Sequence, residues 1–96
     1  MPARVYDLIR NEFAAWPQRY GWKFVTGSRF WREGKQWYEM QMYRYFPETN
    51  EGHAYNFEVE LGPHNMEITA ESLRPAGDRL SELIAAKLGV PVQARK

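Results

Sequence analysis

Glu58 and Glu60 are the two residues of this sequence whose spacing comes closest to that of a catalytic pair. They lie two positions apart in an alternating stretch, so a β-strand would hold their α-carbons about 6.5 to 7 Å apart on one face. That separation suits a general acid and a general base. Glutamates at this spacing are more often the solvated face of a strand. We therefore expect no catalytic residue and keep an enzyme using Glu58 and Glu60 as an alternative.

The sequence offers little for metal or cofactor chemistry. His53 and His64 are single histidines in or beside predicted turns, and they join Glu58 and Glu60 in one site only if the ends of a strand come together. Cysteine is absent, which excludes disulfides, thiol catalysis and zinc–thiolate sites. Phosphate-binding glycine loops, GxSxG and HExxH are also absent. We expect no metal site and no cofactor.

Aromatic and charged residues are unevenly distributed. Aromatic residues make up 16% of the chain, most of them lie between Tyr20 and Phe57, and none follows Phe57. A core of this size does not need so many, so we expect some on a surface. Basic residues predominate from Lys23 to Arg44, whereas residues 47–73 contain glutamates but no lysine or arginine. The formal net charge of +1 is poor support for phosphate binding.

The apolar pattern predicts an α+β fold. Helical spacing occurs near both ends of the chain, and strict alternation predicts antiparallel strands between them. The predicted order is α-β-β-β-β-α, with elements at residues 3–16, Trp22–Arg32, Gln36–Phe46, His53–Leu61, Met66–Thr69 and Ala76–Leu88. Pro17 is expected to stop the first helix, Pro75 to lie near the start of the second, and Gly89 to cap its end.

The length of 96 residues fits one domain. We expect a single domain over residues 1–96, with a core of about residues 3–89 and a frayed tail over residues 90–96.

Two helices with one apolar stripe each are expected to cover one face of the sheet and leave the other open. Alternation assigns to the covered face Trp22, Phe24, Phe30, Tyr38, Met40, Met42, Phe46, Tyr55, Phe57, Val59 and Leu61. It assigns to the open face Arg29, Trp31, Trp37, Glu39, Gln41, Tyr43, Tyr45, Asn56, Glu58 and Glu60. Gly27 is expected to mark a bulge or a close approach to the backbone.

Four short patterns follow one another between residues 5 and 62, namely Gly21-Trp22-Lys23, Gly27 to Arg32, Gln41, and Phe57 to Gly62. On these patterns the stretch resembles a family of small bacterial domains of unknown function. Members of that family begin with an amphipathic helix, which is followed by strands that carry these patterns at their starts and ends. The resemblance implies a helix followed by an antiparallel meander, and it implies no catalytic residue.

The open face also predicts a function. Tyr, Trp and Arg dominate binding hot spots, because they bury a large area and still offer a hydrogen-bond donor. We therefore expect a small non-enzymatic module that binds another macromolecule, with a protein or a second copy as partner. A bacterial or phage-type inhibitor of a larger complex would fit. The residues expected to bind are Arg29, Trp31, Trp37, Gln41, Tyr43 and Tyr45.

Other readings of the same residues remain open. Aromatic residues also stabilise strands by pairing across a sheet. Nucleic-acid binding is a further alternative, because double-stranded RNA-binding domains have a similar element order and exposed aromatic rings can stack on single-stranded bases. Two arginines and one aspartate in residues 73–79 replace the lysine cluster of those domains. No apolar run is long enough for a membrane span, so we expect a cytoplasmic protein without a membrane partner.

Overall fold

The computed structural model describes residues 4–95. Within that range two helices precede a sheet and one long helix follows it. The elements are α1 (Val5–Phe13), α2 (Ala15–Arg19), β1 (Lys23–Arg32), β2 (Lys35–Phe46), β3 (Glu51–Pro63) and α3 (Ala70–Leu88). The α+β class is confirmed, although the sheet has three strands and not the four that were predicted.

The first predicted helix is divided into α1 and α2 at Ala14. Ile9 and Phe13 of the predicted apolar stripe are buried, as is Trp16 in α2. The prediction that Pro17 stops the first helix is wrong, because Pro17 is the third residue of α2. In the first turn of a helix the missing N–H of proline has no helical acceptor, so the ring is tolerated there.

The sheet is an antiparallel meander in the order β1-β2-β3. The core cluster contains Tyr38, Met40 and Met42 from β2 together with Leu80 and Ile84 from α3. Ile9 and Phe13 of α1 belong to the same cluster, so the helices pack on one face of the sheet, as expected. The predicted inward residues of the third strand, Phe57, Val59 and Leu61, are buried there too.

The predicted fourth strand, Met66–Thr69, is wrong. After β3 the chain turns at residues 64–65 and runs without regular structure to Thr69. The buried Gln36 side chain donates hydrogen bonds to the carbonyls of Pro63 and Met66, at 3.0 and 2.8 Å. These bonds hold the segment across the end of the sheet, where it enters α3 instead of pairing with a strand.

The last helix begins six residues before its predicted start at Ala76. Thr69 is its N-cap, and Thr69 and Ser72 form a reciprocal capping box, which satisfies backbone N–H groups at the helix start. Pro75 therefore lies inside α3. Its ring removes the bond to the carbonyl of Glu71, and Glu71 is exposed to solvent. Gly89 caps the C-terminus in the left-handed conformation, as predicted.

A β-bulge lies in β1 between Phe24 and Thr26. Phe24 pairs with Met42 on the covered face, but beyond the bulge Thr26 pairs with Gln41 on the other face. An extra residue in a strand reverses the side on which every later side chain lies. The prediction that Phe30 faces the core is therefore wrong, and so is the assignment of Arg29 and Trp31 to the open face.

The tail was expected to be frayed; residues 90–95 have no regular secondary structure, and some of them are hydrogen-bonded to the helices. The backbone N–H of Gln93 donates to Tyr20 Oη at 2.8 Å, and Arg19 donates to the carbonyl of Ala94. Arg95 bonds both Glu12 of α1 and Asp78 of α3. Residue 96 lies outside the described residues. Within residues 4–95 no helix is long and apolar enough to span a membrane.

Candidate functional site

The open face is the surface of the sheet opposite the helices. We define it by the residues that pair across it, which are Lys23, Thr26, Ser28, Phe30, Trp37, Glu39, Gln41, Tyr43, Tyr45, Gly52, Ala54, Asn56, Glu58 and Glu60. Four of the six predicted binding residues, Trp37, Gln41, Tyr43 and Tyr45, lie on it. In the part of the chain that the structure describes, no helix covers this face.

One end of the open face carries an aromatic stack. Phe30 and Trp37 are neighbours across β1 and β2. Their ring centroids are 6.3 Å apart, and the ring planes are nearly parallel. The Arg32 guanidinium lies 4.3 Å above the Trp37 ring and binds Glu58 at 3.1 Å. Trp37 Nε1 donates to the carbonyl of Arg32. Trp37 is consequently half-buried within its own sheet and presents little free surface to a partner.

The other end of the open face carries Tyr43 and Tyr45, which are 36% and 49% exposed. The Tyr43 ring lies directly over Gly52 of β3, where a side chain would overlap it. An aromatic ring over a strand glycine compensates for the missing side chain. Tyr45 donates a hydrogen bond to Asn50 Oδ1 in the β2–β3 turn. Both tyrosines thus stabilise the hairpin and still leave ring surface in solvent.

The middle of the open face is polar. Thr26, Ser28, Glu39, Gln41 and Asn56 line a shallow depression of about 200 Å³ between the two aromatic ends. Hydroxyl and amide groups of this kind both donate and accept hydrogen bonds. The arrangement offers directional polar contacts at the centre and ring surface at the Tyr43–Tyr45 end.

The two glutamates of the alternative enzyme reading are both ion-paired. Glu58 binds Arg32, and Glu60 binds Lys35 at 3.0 Å. Each carboxylate is more than 40% exposed, so neither has the buried setting that tunes a catalytic acid. Among residues 4–95 no group of three or more His, Cys, Asp or Glu side chains is arranged to hold a metal ion.

Arg29 and Trp31 lie on the helix side of β1, at the free edge of the sheet. Arg29 pairs across the strands with Tyr38, and Trp31 pairs with the buried Gln36. The Arg29 guanidinium is 4.8 Å from the Trp31 ring centroid and donates to Gln36 Oε1 at 3.3 Å. The structure therefore separates these two predicted binding residues from the other four.

A cavity of about 400 Å³ lies between α1 and β1. We call it the edge groove and define it by Val5, Tyr6, Ile9 and Arg10 of α1, residues 24–29 of β1, and Tyr38. Sequence reasoning did not identify it, because it depends on how far α1 stands from β1. One signal was present at Gly27, which was expected to mark a bulge or a close backbone approach. The close approach is real, since a side chain at Gly27 would overlap the Tyr38 hydroxyl.

Tyr38 gives the edge groove a permanent hydroxyl donor. Burial, helped by the nearby Tyr6 and opposed by Arg10, raises the pKa of Tyr38 from 10.0 to about 12. The phenol therefore keeps its proton in the folded protein at any physiological pH. A protonated phenol at the floor of a groove can donate a hydrogen bond to a ligand oxygen.

The raised pKa of Tyr38 predicts a loss of stability in alkaline solution. Between pH 10 and 12 the unfolded chain loses the Tyr38 proton while the folded chain retains it, so the free energy of unfolding falls as pH rises. In Tyr38→Phe this contribution is absent, and we expect a shallower fall. Urea unfolding at pH 9, 10 and 11 measures it. Tyr43→Phe is the matched control, and equal slopes for Tyr38→Phe and wild type would contradict the prediction.

Comparisons with protein-family models, with curated proteins and with solved structures find no match to this chain. The resemblance of residues 5–62 to a family of small bacterial domains stays a prediction.

Proposed function

We propose that this protein is a small non-enzymatic module that binds another protein through the open face. The observation that carries the proposal is the exposed pair Tyr43 and Tyr45 beside a polar centre, on a sheet face that no element of residues 4–95 covers. Interfaces of this kind combine aromatic anchors with hydrogen-bonding groups. Tyrosine suits the role because it loses little conformational entropy on binding.

The charges of the open face favour a protein over a nucleic acid. Glu39, Glu58 and Glu60 lie on it with the cation of Lys23, and the Arg32 and Lys35 cations beside it are already engaged by two of these carboxylates. A phosphate backbone needs clustered positive charge that is free to replace counterions. A protein partner tolerates charges of both signs. Nucleic-acid binding is therefore the second candidate, and an enzyme using Glu58 and Glu60 is the third.

The binding residues of the proposal are revised accordingly. Tyr43, Tyr45 and Gln41 are the principal binding residues, whereas Trp37 acts mainly through its stack with Phe30. The proposal keeps a second copy of this chain as one possible partner and retains a cytoplasmic setting. A bacterial or phage-type inhibitor that docks on a larger complex also fits the same surface.

The test places a photo-reactive phenylalanine analogue at Tyr45 and, as a matched control, at the exposed Val92 of the tail. Irradiation in host cells is expected to give a discrete protein adduct from position 45 and none from position 92. The double variant Tyr43→Ala/Tyr45→Ala is expected to retain its fold by circular dichroism. Its affinity for the partner should fall by roughly 30-fold or more, because the loss of even one hot-spot contact worth about 2 kcal/mol has that effect.

The outcome of the cross-linking separates the candidates. An adduct removed by nuclease treatment would support nucleic acid over protein. An adduct of twice the chain mass would identify a second copy. Unchanged recovery of every partner by a folded Tyr43→Ala/Tyr45→Ala variant would refute the open face as the binding surface.

A further inference from the structure

The outer edge of β1 is free. Within residues 4–95 the sheet order is β1-β2-β3, so β1 has a strand neighbour on one side only. Beyond the bulge its pairing with β2 is uninterrupted from Thr26 to Arg32. Every second residue of such an edge directs its backbone N–H and C=O outward, ready to pair with another extended chain.

A layer of two helices is wider than a sheet of three strands. α1 packs mainly on α3 and makes little contact with β1. Packed helices lie about 8–10 Å apart, whereas neighbouring strands lie about 4.8 Å apart, so two helices cover roughly four strands. The sheet has three, and the edge groove lies between α1 and the free edge. Side chains on the helix side of a fourth strand would enter this groove.

The groove has a distinct charge. Arg10 and Arg29 line it, and no aspartate or glutamate is among the described residues that do so. Arg10 donates to Tyr6 Oη and lies over the Phe24 ring, while Arg29 lies over Trp31. Within residues 4–95 neither guanidinium takes part in an ion pair. Arg10 and the protonated Tyr38 hydroxyl are together complementary to a carboxylate, and Arg29 adds a second positive charge to the groove.

The rim of the groove is apolar and exposed. Tyr6 and Val25 line the groove and are 61% and 50% exposed, and Trp31, which follows on the same strand, is 49% exposed. An apolar rim favours apolar side chains on either side of a charged residue in an extended peptide. The groove thus combines a strand edge, an apolar rim and a positive centre.

We propose that the edge groove binds an extended acidic segment of a partner protein, which adds to β1 as a fourth antiparallel or parallel strand. A glutamate or aspartate of the segment binds Arg10 and the Tyr38 hydroxyl, Arg29 adds positive charge further along the groove, and apolar residues two positions away on either side cover the rim. A second copy of β1 is a poor occupant, because it would bring its own Arg29 into a groove that already holds two cations. This site is separate from the open face and does not depend on it.

The test uses the acetylated and amidated peptide Val-Thr-Glu-Thr-Val, whose two valines and glutamate share one face of an extended chain. Titration into the ¹⁵N-labelled protein is expected to shift backbone amides of residues 24–31 and of Tyr38. The outward amides of β1 should also gain protection from hydrogen exchange. The same peptide with glutamine in place of glutamate is expected to bind about tenfold more weakly, since it loses the charge-assisted bonds.

Variants of the protein locate the effect. Arg10→Gln is expected to weaken binding of the glutamate peptide several-fold and Arg29→Gln to weaken it less, whereas both should change binding of the glutamine peptide very little. Arg79→Gln is the matched control, because Arg79 is exposed on α3 and pairs with Glu82. Tyr43→Ala/Tyr45→Ala should leave peptide binding unchanged, so failure at the groove and failure at the open face are distinguishable. Folding of each variant is checked by its thermal transition.

Several results would overturn the proposal. These are the absence of amide shifts at millimolar peptide, shifts confined to the open face, and equal affinity for the glutamate and glutamine peptides. If inorganic phosphate produces the same amide shifts as the peptide, the groove binds anions in general and not an acidic peptide strand. Concentration-dependent dimerisation that protects β1 amides without peptide would assign the edge to a second copy.

Discussion

Replacement of Phe13 by alanine is expected to lower the free energy of unfolding by about 3–5 kcal/mol, the range for a buried phenylalanine. Phe13 is 0% exposed, and its ring stacks on Tyr38 with centroids 4.7 Å apart. The ring therefore joins α1 to the centre of the sheet. Its removal leaves a cavity at that junction.

Urea unfolding measures this loss, and the thermal midpoint should fall by more than about 12 °C for a domain of this size. Tyr6→Ala is the matched control, because Tyr6 is an aromatic residue of the same helix that is 61% exposed. The control is expected to change stability by roughly 0.5 kcal/mol or less. A Phe13→Ala variant as stable as Tyr6→Ala would show that α1 does not depend on this contact.

The covered face of the sheet was predictable where the strands are regular. Tyr38, Met40 and Met42 alternate with polar residues, and a period of two places them on one side whatever the rest of the chain does. The same holds for Phe57 and Val59 in β3. Such alternation is a local property of the chain, so the sequence alone contains it.

The side assignments beyond Val25 were not predictable. A bulge adds one residue to a strand without requiring a particular residue type, and residues 23–26 read Lys-Phe-Val-Thr, an ordinary strand. The reversal it causes moved Arg29 and Trp31 to the helix side of the sheet and Phe30 to the open face. A single local irregularity therefore divided the predicted binding site into two surfaces.

The start of α3 illustrates a different limit. Pro75 favours the first turn of a helix, and sequence reasoning placed the start beside it. The Thr69–Ser72 capping box fixes the start earlier, because it satisfies the backbone N–H groups that have no acceptor within the helix. The hydrogen bonds from Gln36 to Pro63 and Met66, which direct the chain into this helix, join residues some thirty positions apart and have no local signature.

The tail contacts were beyond sequence reasoning for the same reason. Arg95 binds Glu12, 83 positions earlier, through two hydrogen bonds from its guanidinium, and it also binds Asp78. Gly77 leaves room for the Glu12 carboxylate beside α3, because a side chain at that position would overlap it. The Arg95 guanidinium further lies 5.4 Å from the Trp16 ring centroid. One side chain thus joins α1, α2 and α3.

Loss of the Arg95 side chain is therefore expected to lower the free energy of unfolding by about 2 kcal/mol. The estimate lies between the values for buried and exposed pairs, because the Glu12 side chain is 15% exposed and that of Arg95 is 27% exposed. Arg79→Ala removes a pair whose side chains are 61% and 53% exposed, and it should cost roughly 0.5 kcal/mol or less. Urea unfolding of both variants provides the comparison.

A double-mutant cycle with Glu12→Gln tests whether the effect belongs to the pair. If Arg95 acts through Glu12, the loss in Arg95→Ala/Glu12→Gln is smaller than the sum of the single losses by roughly 1 kcal/mol or more. Additive losses would instead mean that Arg95 stabilises the fold through Asp78 and Trp16. Equal stability of Arg95→Ala and wild type would contradict the prediction, and residues 90–95 would then contribute little to the packing of α1 on α3.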